Sequence, residues 1–597
     1  MSKAYMFKFL EPKEAVYSGK VAQTVDFILD KQLKNKELWK KFAEQFNIRI
    51  DSINSAWRGE YWGKMMRGGC LAYQYCADGE LYDALTFAVE ELLATQDKFG
   101  RISSYTVEKE FSGWDMWGRK YVLTGLQHFY EICKNVNLKE KVLVCMKKTA
   151  DYICEHIGDG KIDICATSTC WGGVNSCSIL EPFVELYKIT KITKYLSFAE
   201  YIIRSGGCRD GSLLLAVKNG LYPYQYPEVK AYETMSFFEG VLAYYEVTRE
   251  EKYFELVKKF VEDAYETERT IIGGLGGKEE LFDNFYKKQT EPQKTIIQET
   301  CVTVTWIRLL SRLYFNTGDV KYVDRIERSA LNALWGSLNT EGNTHYISWL
   351  HGVIPALPFD SYSPLVYGKR GQKVGGLQPL GADCNYDSSY GCCVCISAAG
   401  IALTPLLAFL KADKGFVINF YFNGKIQTKT PNGKDINIKI SSGYPVDGKI
   451  KIYVQCNGGE KFALRFRKPN WCENATLCGA KFTDKDGYFI VEKVWENEEI
   501  SLEFPMTFKK TELNDKTAFT YGPLVLALDE GKGNKDINGV IRLKTKTGKI
   551  ETPMAKELFR YRVAREDGED LIFTDYASSG TIWENCEDKF SVWLNVR

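Results

Sequence analysis

A tyrosine–threonine turn that recurs through the first two thirds of the chain constrains its fold more than any other feature. The pattern is Tyr-x-x-Thr, then Lys-Tyr, then apolar residues at helical spacing. Its copies are Tyr187-Lys-Ile-Thr190 with Lys194-Tyr195, Tyr245-Glu-Val-Thr248 with Lys252-Tyr253, and Tyr314-Phe-Asn-Thr317 with Lys321-Tyr322. In each, the two tyrosines stand eight residues apart. Weaker copies sit at Tyr75-Cys-Ala-Asp78 with Leu81-Tyr82 and at Tyr130-Glu-Ile-Cys133. The Thr or Asp ends one helix and the next starts near Lys-Tyr, so each copy reads as a helical hairpin. The spacing, roughly 55 to 70 residues, is too uneven for an open solenoid. Hairpins joined by variable loops suit a closed double ring, the (α/α)6 toroid, whose loops at one end gather around a pocket.

Near residue 412 the period changes. Val417-Ile-Asn-Phe-Tyr-Phe422, Ile436-Asn-Ile-Lys-Ile440, Lys449-Ile-Lys-Ile-Tyr-Val454 and Phe462-Ala-Leu-Arg-Phe466 are short runs separated by Asn-Gly, Asp-Gly and Gly-Gly turns. These are signs of antiparallel β-sandwiches. The expected architecture is a multidomain α+β chain: a segment 1–20 adding a strand to the β region, an (α/α)6 helical toroid over 21–412, a β-sandwich over 413–515 and a second over 516–597. Phe590-Ser-Val-Trp-Leu594 is its expected last strand.

A chain of 597 residues with net charge +1 and no long basic run argues against a nucleic-acid groove or an anionic membrane surface. The N-terminus shows no apolar leader and no apolar run is long enough to cross a bilayer. The 18 cysteines are then expected as reduced thiols in a cytoplasmic protein. High aromatic content suits a sugar-binding protein and equally suits a large core.

Two cysteine clusters carry the chemistry: Glu299-Thr-Cys301 and, 91 residues beyond Cys301, Cys392-Cys393. One carboxylate and three thiols have the number and softness for a four-coordinate zinc site. Free cysteine is also a common buried apolar residue, and spacing alone does not separate these readings.

The stretches Gln298-Glu-Thr-Cys301, Gly391-Cys-Cys393, Leu464-Arg-Phe-Arg-Lys-Pro-Asn-Trp471 with Gly487-Tyr488 and Trp495, and Tyr521-Gly-Pro-Leu-Val-Leu-Ala-Leu-Asp529 together resemble glycoside hydrolase family 127, the β-L-arabinofuranosidase-like enzymes. The resemblance covers most of the chain. It implies a retaining exo-glycosidase in which Glu299, Cys301, Cys392 and Cys393 hold Zn2+ and Cys392 is the nucleophile. It also implies a carboxyl acid/base sixteen residues before Glu299, which is Asp283 here, with Glu279 and Glu280 as rivals. The implied substrate is a terminal β-L-arabinofuranoside or related sugar on an oligosaccharide or glycoconjugate. Cys395 is a further thiol that could exchange as a ligand.

The pocket departs from the family. With only four histidines, the repeat positions where relatives place imidazoles read Trp114-Asp-Met-Trp-Gly-Arg-Lys-Tyr121, Asn175-Ser-Cys-Ser178 and Tyr232-Glu-Thr-Met235. Trp114, Asp115, Trp117, Asn175, Tyr232, Glu233 and Tyr362 are the candidate substrate contacts. Tyr362 opens a Tyr-Ser-Pro-Leu stretch that resembles a family Tyr-Asn-Pro-Leu. Asp115 and Glu233 stand out because a carboxylate on an inner helix is costly unless paired or used. A sugar of different stereochemistry or charge is compatible with these changes. Other readings are a toroid glycosidase working through carboxylates with a structural zinc, a non-catalytic carbohydrate-binding relative, and a strained vicinal Cys392–Cys393 disulfide. A homodimer through the β domains is compatible with the sequence.

Overall fold

The computed structural model describes residues 6–51, 57–277, 280–292, 298–338, 346–347, 352–353, 365–369, 390–545, 547–566, 568–580 and 588–597. Six helices form an inner ring: α1 (Tyr61–Cys76), α2 (Asp115–Ile132), α3 (Leu180–Thr190), α4 (Ala231–Thr248), α5 (Thr300–Thr317) and α6 (Cys392–Ala408). Each packs on the next, and α6 packs back on α1, which closes the toroid. The outer ring comprises Lys36–Ile48, Gly79–Leu93, Val136–His156, Thr193–Arg204, Glu251–Glu268 and Val320–Arg328. Position sets the pattern. Inner α4 is buried throughout Ala231–Glu246, whereas outer Val320–Arg328 shows one buried stripe containing Tyr322, Val323 and Ile326. No described helix is long and apolar enough to cross a membrane.

The recurring threonine makes the inner-to-outer turn. Thr190, Thr248 and Thr317 donate their hydroxyls to the carbonyls of Leu186, Tyr244 and Leu313 at 2.8, 3.0 and 2.8 Å. The same oxygens accept the N–H groups of Ile192, Glu250 and Asp319. One side chain thus satisfies a free carbonyl of the ending helix and an N–H at the start of the next. The intervening Lys191, Arg249 and Gly318 take left-handed φ of 60°, 59° and 72°, which reverses the chain. Close approach tightens the inner ring. A Cβ on Gly63 of α1 would lie 1.8 Å from the Tyr121 carbonyl oxygen of α2.

The first β region is a ten-stranded sheet. Its spine is Lys449–Arg467 paired antiparallel with Tyr488–Glu503, from Lys449↔Glu503 to Arg467↔Tyr488, with a bulge between Gln455 and Glu460. Strict alternation of buried and exposed residues runs from Lys449 to Cys456, as one covered face requires. Phe7–Lys8 pairs with Phe409–Ala412 and Ala15–Tyr17 with Gly424–Lys429, at opposite ends of the strand order. A seven-stranded sheet follows, with fully buried Leu524–Asp529 between Lys516–Tyr521 and Leu571–Asp575.

The β-region motifs join the sheets to the toroid. Arg467 is fully buried and donates to Asp324 (2.5 Å), to Glu327 and to the Asn419 carbonyl (2.7 Å). The Trp471 indole donates to Glu327 at 2.8 Å. Asn332 accepts the Val525 N–H at 2.7 Å and donates to the Pro523 carbonyl at 3.1 Å.

Candidate active site

Both cysteine clusters sit at helix starts. Glu299 is the N-cap of α5 and Cys301 its second residue, while Gly391 caps α6 and Cys392-Cys393 open it. Ring closure packs these two helices side by side. Two positive helix ends therefore converge on the cluster, an arrangement that favours negative charge there.

The ligand atoms of Glu299, Cys301, Cys392 and Cys393 all lie within 4.8 Å of one another. Cys393 Sγ stands 3.0 Å from Glu299 Oε1 and 3.1 Å from Cys301 Sγ. Cys392 Sγ is 3.6 Å from Glu299 Oε1 and 3.9 Å from Cys393 Sγ. Around a tetrahedral ion two sulfurs stand about 3.8 Å apart and a sulfur and an oxygen about 3.5 Å, so Cys393 must move away from both Cys301 and Glu299, by about 0.7 and 0.5 Å, for the set to close on an ion. Glu299 Oε2 is buried and lacks a protein partner among the described residues. The set fits a soft, four-coordinate cation. Burial, and then the neighbouring Cys392 thiolate, push the Glu299 carboxyl up to about 8. Hydrogen bonds from the Cys301 and Cys393 thiols, helped by Lys64 and Lys230, hold Cys392 well below the ordinary thiol range against its burial. Cys392 is the one partly exposed residue of these three cysteines; Cys301 and Cys393 are buried. All described cysteines are free thiols. Cys395 is buried and lies outside the four-donor group.

The remaining candidates divide by their partners. Asp115 accepts from Ser103 (2.5 Å), the Phe111 N–H (2.8 Å) and Arg119 (3.0 Å), which anchors the loop before α2. Trp117 donates its indole N–H to Glu60 and packs edge-on against Tyr232. Trp114 meets Trp57 and Trp117 edge to face. Asn175 donates to the Gly113 carbonyl at 3.0 Å, and its Oδ1 has no protein partner among the described residues. Tyr232 shares a hydrogen bond with Tyr121. Glu233 lies 3.8 Å from Lys230, and its Oε2 is without a protein partner among the described residues. Tyr362 and Glu279 lie outside the described residues.

The two other carboxyls of the loop before α5 differ in setting. Asp283 pairs with Lys288 at 2.7 Å and its side chain is 37 % exposed. Glu280, 27 % exposed, pairs with buried Lys230, the ammonium whose field reaches Glu299 and Cys392.

Sequence reasoning missed Glu60, Lys64 and Lys230. Lys64 Nζ lies 3.0 Å from Glu60 and 3.7 Å from Cys301 Sγ, above the Tyr232 ring at 4.5 Å. Lys230 lies over the Trp171 ring at 5.1 Å. An available signal was Glu60-x-x-x-Lys64 inside a run of aromatic and small residues, where a solvated ion pair is out of place.

Comparison with known proteins agrees with this frame. Residues 13–351 match the family profile described as "Beta-L-arabinofuranosidase, GH127 catalytic domain" and residues 415–506 that of the GH127 middle domain. Among solved structures, a GH127 β-arabinofuranosidase aligns with TM-score 0.75 at 16 % identity, covering 100 % of this chain and 98 % of its own. A GH127 β-L-arabinofuranosidase from Geobacillus stearothermophilus T6 aligns with TM-score 0.72 at 18 % identity, covering 98 % of this chain and 100 % of its own. No curated protein matches the sequence. With more than half its length matched by the catalytic-domain profile, the chain belongs to glycoside hydrolase family 127.

Proposed function

We propose that the protein is a zinc-dependent, retaining exo-glycosidase that removes a terminal sugar, a β-L-arabinofuranoside or a relative of it, with Cys392 as nucleophile. The observation that carries this reading is the convergence of Glu299, Cys301, Cys392 and Cys393, with Cys392 the one cysteine of the three that is not fully buried among the described residues. Glu299, Cys301, Cys392 and Cys393 would hold the zinc. When bound, it would keep the thiols deprotonated and stabilise the sulfur that leaves in the second step.

In the first step the Cys392 thiolate attacks the anomeric carbon while the bond to the leaving oxygen breaks. A loop carboxyl gives its proton to that oxygen. The sugar is then joined to Cys392 through a C–S bond. In the second step the same carboxylate takes a proton from water, the water oxygen bonds the anomeric carbon, and the thiolate is restored. Each displacement inverts the anomeric carbon, so the two together retain its configuration.

Of the three carboxyls that contend for the acid/base role, Glu280 and Asp283 lie among the described residues and Glu279 does not. Glu280 is favoured, because the charge of its partner Lys230 acts on Glu299 and Cys392 whereas Asp283 is held by the more exposed Lys288. Partly exposed Trp114 would offer a ring for sugar stacking, backed by buried Trp117 and Tyr232, and Asn175 Oδ1 and Glu233 Oε2 would recognise hydroxyls.

The test is elemental analysis of wild type and Cys392→Ser, with turnover on a panel of nitrophenyl glycosides that includes arabinofuranosides. About one zinc per wild-type chain is expected, with cleavage of at least one glycoside that Cys392→Ser abolishes. Wild type free of zinc after preparation in zinc-containing medium refutes the metal, and full turnover by Cys392→Ser refutes the nucleophile.

A further inference from the structure

The charge of the four-donor set leads to a residue on another helix. Three thiolates and one carboxylate around a divalent cation leave two negative charges in a buried site, a costly arrangement without nearby compensation. Lys64, on α1, brings one positive charge into direct contact. Its ammonium has three N–H donors, and three acceptors surround it: Glu60 Oε2 at 3.0 Å, Cys301 Sγ at 3.7 Å and the face of Tyr232 at 4.5 Å. Glu60 is itself fixed by the Trp117 indole, and Tyr232 by Tyr121. Side chains from α1, α2 and α4 thus aim one cation at a sulfur on α5.

The contact is selective. Among the described residues no N–H group hydrogen-bonds Cys392 Sγ, whose neighbours are Glu299 and the Cys301 and Cys393 thiols. We infer that Lys64 is a positioning residue that caps the Cys301 sulfur, making Cys301 a fixed ligand and leaving Cys392 as the sulfur free to leave the metal and attack. An N–H···S bond withdraws electron density from the sulfur it reaches. Capped Cys301 thereby becomes the weaker nucleophile of the pair, although chemically the two are identical thiols. Outer-shell partners of this kind commonly change metal affinity by about 10–100-fold.

The inference rests on the zinc reading above, and its test separates the two. Zinc affinity is measured by chelator competition, and the cobalt-substituted protein is read by its sulfur-to-metal charge-transfer band. The variants are Lys64→Met, Lys64→Arg, and Glu60→Gln/Lys64→Met, which leaves no stranded carboxylate if the single change fails to fold. Expected is an affinity loss of about 10-fold or more in the Met variants, with the band moved to lower energy because the sulfur lone pair is no longer stabilised. Lys64→Arg, which keeps a donor and the charge, should restore the band position. Wild-type protein that binds neither ion overturns the zinc reading. Wild type that binds both, with a folded Met variant of unchanged affinity and band, overturns the role of Lys64 alone. So does a shifted band that Lys64→Arg does not restore, because packing then explains the effect.

Discussion

Replacing Arg467 by Met should loosen the joint between toroid and β-sheet by an amount the structure lets one work out. The guanidinium is fully buried and bonds Asp324 at 2.5 Å, Glu327, and the Asn419 carbonyl at 2.7 Å. Met fills similar volume, so the loss is electrostatic rather than a cavity. Two buried carboxylates lose their counter-charge, and removing one partner of a buried pair costs about 3–5 kcal/mol. With m near ~3 kcal/mol/M in urea, the midpoint of the transition that opens this interface should fall by roughly 1 M or more. Circular dichroism in urea reads the midpoint, and hydrogen exchange of Lys449–Arg467 localises it. The pH dependence gives an independent check. Burial already raises the Asp324 carboxyl to about 6 despite Arg467, against about 3.9 in an unfolded chain. A carboxyl whose folded value is raised destabilises as pH climbs from its unfolded value through its folded one. Without Arg467 the folded value rises further, so the gap between variant and wild type should be wider at pH 8 than at pH 5. In an Asp324→Asn/Glu327→Gln background the same substitution should cost little. A loss under about 1 kcal/mol, or an equal loss at both pH values, would refute the reasoning.

Three further expectations bear on the site and the ring. Glu280→Gln should lower turnover of glycosides with poor leaving groups by about 10²–10⁴-fold, and much less for nitrophenyl glycosides, while Asp283→Asn changes either modestly; steady-state kinetics on matched substrates decides, and the reverse ranking would return the role to Asp283. Cys392→Ser should lose at least about 10³-fold in kcat with the fold intact by circular dichroism. Gly63→Ala should force α1 and α2 apart, since the new Cβ meets a backbone oxygen at 1.8 Å; a Tm drop of several degrees is expected, and an unchanged Tm would show that the helices have room to move.

Much of this protein is legible without coordinates because its instructions are short-range. Thr190, Thr248 and Thr317 bond a carbonyl four residues back and an N–H two residues on, so a repeat of a few residues reveals every such turn. Alternation over Lys449–Cys456 likewise states which face is covered. Glu299-Thr-Cys301 and Cys392-Cys393 could be suspected of acting together because their residue types suit one ion. Other facts depend on distances that no local pattern encodes. Glu60 and Lys64 form an ordinary-looking i, i+4 pair, and only packing from α2, α4 and α5 turns it inward against a sulfur. Asp115, a candidate substrate contact by sequence, has Ser103, the Phe111 N–H and Arg119 as partners, which its neighbours in the chain do not announce. Glu280 and Asp283 are three residues apart in one loop, and the loop's path alone gives them different lysines. Hydrogen-bond patterns within a turn have the same energy wherever the turn lies, so the sequence by itself determined the hairpins, the sheets and the donor chemistry. The meeting of α5 with α6, and of both with Lys64, depends on closing a ring over hundreds of residues, and that was decided by the tertiary structure alone.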